Sequence, residues 1–350
     1  MKKVRLGVVG AGRLGGFHAS KAANNSSVEF IGVVDVCEEN RKRLANQWNV
    51  KDYESVEEML PLVDAVVLAS PSVLHAEIGR KILRAGKHLL VEKPATTSGS
   101  SAKELAKIAR DKGLVMQVGH VEQYNPAWRS VLQRLLDVRT GKVPAYIEAT
   151  RTSGYTFRST DVGVTLDLMI HDLELVLSLI PSRVTNVSAF GFAQLGGFED
   201  ASFATLEFEN GSVAKLNASR VEMNAVRQMT VRTSTKSIFV DFAARTAKMV
   251  CPKKDVLDGS FAPHKIAYCE IVERVPNFMK EEFEVEELVK EPFDALALEM
   301  NDFISAILYN TPSTAPGERA AQAVAVAEEI VHALEERNAV ASKPALRIAS

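Results

Sequence analysis

From residue 4 to about residue 120, short apolar runs alternate with amphipathic stretches. The runs VRLGVVG, VEFIGVVD, DAVVLAS, KHLLVEK and LVMQVG are dense in valine, leucine and isoleucine, which predicts strands of a buried parallel sheet. Between them, 38–48 sets Leu44 and 101–112 sets Leu105 and Ile108 against charged faces, which predicts helices. Strand and helix in alternation predict a doubly wound sheet wrapped by helices. After residue 140 the pattern lengthens into alternating segments: VTNVSAFGFAQ, ASFATLEFENGSVAKLNASR and MTVRTSTKSIFVDF. Glu209-Asn210-Gly211 and Ser234-Thr235-Lys236 read as hairpin turns between antiparallel neighbours. A helix is predicted at about 165–180, and two more at 294–309 and about 316–336. No repeat and no long linker separates the halves, so a first domain over 1–122 and a second over 123–350 are expected to share a cleft.

Composition narrows the class. At 350 residues, 46% hydrophobic and 25% charged, the chain has enough apolar side chains for two cores. Forty-two basic against 44 acidic residues leave a net charge of −2, which argues against a nucleic-acid or anionic-membrane partner. No stretch approaches the roughly 20 apolar residues of a membrane span. The opening MKKVRLGVVGAG echoes a secretory leader, but its apolar run is short and ends in glycines that the next helix needs. Cys37, Cys251 and Cys269 are odd in number and lack metal-type spacing, which points to a reducing, cytoplasmic setting.

Three constellations carry chemistry. Gly10, Gly12 and Gly15 form GxGxxG between the first strand and a helix opened by Arg13 and Leu14. The first glycine permits the tight turn, the second lets backbone approach a pyrophosphate, and the third lets helix pack on strand. Asp35 ends the second strand 20 residues past Gly15, where a carboxylate takes the adenine-ribose hydroxyls. It would repel a 2′-phosphate, so NAD is favoured over NADP; Arg13 remains within reach of a phosphate, and Arg41 reads as a solvated helix charge.

Glu92-Lys93-Pro94 ends a later strand, at the edge where ligands bind in such sheets. Lys93 is either an oxygen-polarising ammonium or an ordinary strand-end lysine. Asp167 and His171, four apart, share a helix face distinct from the apolar stripe of Leu166, Ile170, Leu173, Leu177 and Ile180. An imidazole suits proton acceptance from an alcohol, with a carboxylate to orient it; the alternative is a polar pair on a core helix. Asp172 reads as a surface charge. No third ligand at suitable spacing supports zinc, so no metal is expected.

GVVGAGRLG, EKP at 92–94 and DxxxH at 167–171, in this order, resemble the Gfo/Idh/MocA oxidoreductase family, as do ASPSVLHAE at 69–77 and the PFDALALEMNDFISAIL tail. The resemblance implies an α/β protein: an N-terminal Rossmann doubly wound parallel sheet, then an α/β domain on a large, mainly antiparallel open sheet that often mediates oligomers, here a homodimer or homotetramer. It implies NAD-dependent oxidation of a sugar or inositol hydroxyl, with Lys93, Asp167 and His171 as catalytic residues. Ser70, Pro71, His75 and Glu92 fall where the family lines the nicotinamide side.

The stretch VGHVEQYNPAW resembles VGHxERFNPA of members that oxidise the 3-hydroxyl of UDP-N-acetylglucosamine, with Gln123 and Tyr124 in place of arginine and phenylalanine. This implies substrate contacts from His120, Glu122, Tyr124 and Asn125. Arg151 either binds a diphosphate or pairs with a carboxylate. Three functions follow: an NAD-dependent nucleotide-sugar dehydrogenase, an inositol or free-aldose dehydrogenase, and a non-catalytic dinucleotide-binding sensor.

Overall fold

The computed structural model describes residues 3–157, 161–195, 197–289 and 293–341. The first sheet holds β1 (Val4–Val9), β2 (Val28–Val34), β3 (Lys51–Tyr53), β4 (Ala65–Leu68), β5 (His88–Glu92) and β6 (Met116–Gly119). All its pairings are parallel, in the order β3-β2-β1-β4-β5-β6. The apolar runs become strands because helices cover both faces: Leu6, Val8, Val66, Val67, Leu89 and Leu90 are all fully buried. The covering helices include α1 (Arg13–Ala23), α2 (Glu38–Trp48), α3 (His75–Arg84) and α4 (Gly99–Asp111). Strand order reverses between β1 and β4, and the crevice at that reversal is where ligands bind in this architecture.

The second sheet has eight strands: β7 (Tyr146–Thr152), β8 (Val184–Phe192), β9 (Ala201–Phe208), β10 (Val213–Ser219), β11 (Val226–Arg232), β12 (Ser237–Asp241), β13 (Thr246–Pro252) and β14 (Phe283–Glu287), ordered β14-β13-β12-β11-β7-β10-β9-β8. Its one parallel pair is β7 with β10. Both expected hairpin turns are present: Gly211, at φ +82, closes β9 on β10, and 233–236 closes β11 on β12. Period-two alternation puts Ile147, Leu206, Leu216, Val231 and Val240 into the core, against α5 (Ile170–Leu179). The other face stays open, with Phe190, Phe192, Phe203 and Phe239 exposed.

The tail does not stay with the second sheet. Helix α6 (Ala295–Tyr309) returns to the first and inserts Met300, Phe303 and Ile304 among Val4, Leu6, Val67 and Leu90. Helix α7 (Gly317–Ala341) packs on α4, α5 and β8, tying the halves together. The chain therefore passes from the first sheet, whose last strand ends at Gly119, to the second, which starts at Tyr146, and returns to the first in its tail. The expected helices at 294–309 and 316–336 are both present.

Candidate active site

A cleft of about 1060 Å³ runs along the carboxyl ends of β1, β2, β4, β5 and β6 and is closed on its far side by residues of β7, α5 and β11. Its volume lies at the upper end of the range of about 300–1,000 Å³ typical of ligand pockets. Gly10 has φ +99, and a Cβ there would sit 2.4 Å from the Ala69 carbonyl oxygen. At Gly15 a Cβ would lie 1.7 Å from the Gly10 carbonyl oxygen, so α1 packs directly on its own turn. Gly12 is different: a Cβ would meet nothing within 4 Å, and Gly12, Arg13 and Leu14 line the cleft. As the N-cap of α1, Gly12 brings no side-chain cap, which leaves first-turn N–H groups free for an anion. Asp35 is fixed by two backbone donors, Ala11 N–H to Oδ2 (2.5 Å) and Cys37 N–H to Oδ1 (2.8 Å). Each oxygen retains acceptor capacity toward the cleft. These residues fit a dinucleotide, with backbone for the pyrophosphate and a carboxylate for ribose.

Lys93 follows β5 and precedes a cis peptide bond to Pro94. Its Nζ reaches across the cleft and donates to the Asp167 carbonyl oxygen (2.7 Å) and to Asp167 Oδ1 (2.8 Å). Asp167 lies in a π-helical turn, Thr165–Met169, that runs into α5, and His171 is in the first turn of α5. Lone π turns of this kind recur at functional sites. Lys93, Asp167 and His171 thus line one stretch of wall. His171 Nδ1 has no hydrogen-bond partner among the described residues. Burial first, then the positive charges of Lys93 and Arg151, hold this imidazole well below its ordinary pKa.

Around this wall the structure separates cleft residues from supports. Ser70, Pro71, Glu92 and Glu122 line the cleft. His75 does not. It is buried, with Nδ1 2.8 Å from the Pro94 carbonyl oxygen and Nε2 2.9 Å from that of Ser70, and so braces the two loops that hold Ser70 and Lys93.

Arg151 lines the cleft, but its guanidinium is taken up by carboxylates. Its Nε and NH2 form a fork on Asp172 (3.0 and 2.8 Å), and NH1 donates to Glu122 Oε1 (2.8 Å), all three residues being buried. Of the two readings open for Arg151, the carboxylate pairing is the one present, although the carboxylates are buried. Asp172 is not a surface charge, because burying the Arg151 guanidinium required one. Arg41 is likewise not solvated: it is buried and donates to Asp52 Oδ2 (3.1 Å).

The other expected substrate contacts face away from the cleft lining. Tyr124 is buried and donates to Asp302 Oδ2 (2.7 Å). Asn125 caps the helix that follows it and donates to Glu122 Oε2 (2.9 Å) and the Phe242 carbonyl oxygen (3.1 Å). His120 lies behind His171, ring centroids 6.5 Å apart and edge-on, with neither nitrogen partnered among the described residues. Burial, then Arg319 and Lys93, push its pKa down to about 3.

Two family models match the chain: the NAD-binding Rossmann fold of the Gfo/Idh/MocA oxidoreductases over residues 4–120, and the Gfo/Idh/MocA C-terminal domain over 138–239. The chain belongs to the Gfo/Idh/MocA oxidoreductase family. It is 32% identical to a UDP-N-acetylglucosamine 3-dehydrogenase of Acidithiobacillus ferrooxidans, over 96% of this chain and 98% of that one. A solved structure of the A. ferrooxidans enzyme superposes with a TM-score of 0.80, at 31% identity, covering 96% of this chain and 99% of that one. A scyllo-inositol 2-dehydrogenase (NAD(+)) of Bacillus subtilis is 28% identical over 62% of this chain and 68% of its own length.

As a Gfo/Idh/MocA member the protein is an oxidoreductase whose first domain is an NAD-binding Rossmann fold. Sequence reading left several cleft residues of this family member unnamed. Tyr155, Arg220 and Arg227 line the substrate side, beyond the Rossmann motifs. His18 lies beneath the cleft, its Nε2 2.7 Å from Glu92 Oε1. Burial raises the Glu92 carboxyl, but His18 and Lys93 outweigh it and hold the pKa below the ordinary range. Helix α1 was legible, but the inward-facing polar residue on it gave no signal, since its partner arrives from another strand.

Proposed function

We propose that this family member is an NAD-dependent dehydrogenase that oxidises the 3-hydroxyl of a UDP-N-acetylglucosamine-type nucleotide sugar. The observation that carries this reading is the convergence of Lys93, Asp167 and His171 on one wall of a cleft whose other end is formed by Gly12 and Asp35. The likeness to the A. ferrooxidans enzyme over 96% of the chain supports the substrate.

NAD, held by the Gly10–Gly15 turn and by Asp35, supplies the hydride acceptor. Lys93 spends two of its three donors on Asp167, which fixes its ammonium and leaves one N–H for the substrate hydroxyl. That contact stabilises negative charge developing on oxygen as C–H and O–H are lost. His171, kept neutral by burial and by neighbouring cations, accepts the hydroxyl proton. Ser70, Pro71 and Glu92 pack beside the nicotinamide end.

A panel of UDP-sugars, inositols and free aldoses, read by NADH formation, tests this reading: turnover confined to UDP-sugars supports it. Turnover of inositols instead selects the second reading, which the B. subtilis match favours. Binding of NAD without turnover of any of them selects the sensor. We also infer a homodimer or homotetramer built on the open face of the second sheet, where Phe190 contacts Phe192 and Phe203 (centroids 6.4 and 6.2 Å) in solvent. A monomer by light scattering would overturn that assembly.

A further inference from the structure

Arg227 pairs in register with Arg151 across the antiparallel strands β11 and β7. Cross-strand partners point to the same side of a sheet, and like charges directly opposite each other destabilise it. The two arginines are treated unequally. Arg151 is buried and neutralised by Asp172 and Glu122. Arg227 is exposed and lines the cleft, and its guanidinium has no hydrogen bond or ion pair among the described residues. The neighbouring cleft cations differ from it: Lys93 is paired with Asp167, Arg220 with Asp200, and Lys81 with Glu57 and Glu77. Arg13 also lacks a carboxylate, but it stands at the cofactor turn, over the Phe17 ring. Arg227 therefore supplies an uncompensated charge at the substrate end, on the wall whose field reaches His171.

A neutral polyol offers nothing to such a charge, whereas a guanidinium and a phosphate match in charge and in forked geometry. We propose that Arg227 anchors the diphosphate of a sugar-nucleotide substrate and so selects nucleotide sugars over free polyols. This assignment rests on the oxidising site proposed above. Arg151, for which the sequence leaves open a diphosphate contact or a carboxylate pairing, is its buried cross-strand neighbour.

The test is calorimetric titration of UDP into protein saturated with NADH, for wild type, Arg227→Gln and Arg227→Lys. Loss of a charge-assisted phosphate contact weakens UDP by roughly 10- to 100-fold in Arg227→Gln, with partial recovery in Arg227→Lys. In turnover, the Arg227→Gln loss appears in KM for the UDP-sugar more than in kcat, because the contact is made equally in ground and transition states. Equal UDP affinity in wild type and Arg227→Gln, or no UDP binding by wild type, overturns the assignment. Wild-type protein that binds UDP through Arg227 yet oxidises no UDP-sugar overturns only the dehydrogenase reading. Thermal melts of the three proteins exclude misfolding as the cause of a loss.

Discussion

Lys93 Nζ holds both the carbonyl oxygen and the side chain of Asp167, so a strand end of the Rossmann sheet is fastened to the helix entry of the second domain. This fixes the ammonium against the wall that carries His171. Asp167→Asn keeps the shape and the backbone contact but loses the charge that orients Lys93. We expect kcat to fall about 100-fold while the Kd for NAD moves little; Lys93→Met falls further, by about 1,000-fold or more, since it removes charge stabilisation directly. Fluorescence titration of NADH, run beside steady-state rates, checks the separation. Equal loss of cofactor affinity and rate would make the pair a cofactor clamp.

His171 predicts its own pH dependence. In the proposed reaction the neutral ring accepts the proton, and burial with nearby cations favours the neutral form, so its pKa lies well below 6.5. Protonation removes the base, hence activity is kept from neutrality downward through pH 6.5 and is lost only at more acid pH. A profile of kcat/KM for the sugar nucleotide should therefore show no acid limb near 6.5. His171→Ala should lose about 100- to 10,000-fold in kcat with NAD binding retained. An acid limb at 6.5 in wild type that persists in His171→Ala would assign the base elsewhere.

Five strands of the first sheet were legible because each is rich in apolar residues and is bounded by turn or helix signals. Gly10, Gly12, Gly15 and Asp35 lie within one strand-helix-strand unit, so spacing alone located them. β3 was not legible, because three residues are too few for a period to show. Nor was the return of α6: an apolar stripe says that a helix packs, not which sheet receives it. Buried charges were the systematic miss. Asp172 reads in sequence as a surface charge and Glu122 as a substrate contact, yet both are buried against Arg151, as Glu174 is against Arg319, partners that only tertiary pairing brings near. Both arginines of the β11–β7 register line the cleft, but only the Arg227 guanidinium is left without a carboxylate there.

The Arg151 triad separates stability from binding. Asp172→Asn leaves the buried guanidinium undercompensated and is expected to cost about 3–5 kcal/mol of unfolding free energy. Arg227→Gln, on an exposed site, is expected to change it by about 0.5 kcal/mol or less. Urea denaturation of both variants checks this. A stable Asp172→Asn protein would mean that the buried fork is solvated in solution.

The proposed contact of Asp35 with the adenine ribose predicts cofactor choice by charge repulsion with a 2′-phosphate. Asp35→Ser removes the repulsion together with one ribose acceptor. KM for NAD should rise about 10-fold or more, and kcat/KM for NADP should rise from its wild-type value, narrowing the ratio between the two. The Ala11 and Cys37 N–H groups bond different oxygens of Asp35, and the single serine hydroxyl keeps at most one of them, so a thermal melt run beside the kinetics checks that the turn holds. Unchanged discrimination would move the choice to Arg13.

Glu299 on α6 is fully buried with neither carboxylate oxygen partnered among the described residues, and burial, then the charges of Glu92 and Asp302, raise its pKa well above the ordinary value. The folded protein therefore keeps a proton on Glu299 at pH values where the unfolded chain has released it. Ionisation favours the unfolded state, so the penalty is absent below about pH 4.3, the unfolded carboxyl pKa, and grows as pH rises until the folded group titrates. Glu299→Gln preserves shape and removes the titration. It should raise the melting temperature at pH 7.5, by about 2–4 °C for each kcal/mol recovered, and leave it nearly unchanged at pH 4.5. Differential scanning calorimetry at the two pH values decides it. A gain of equal size at both would show that packing is responsible, and a loss at pH 7.5 would show that the carboxylate is ionised and bound where it stands.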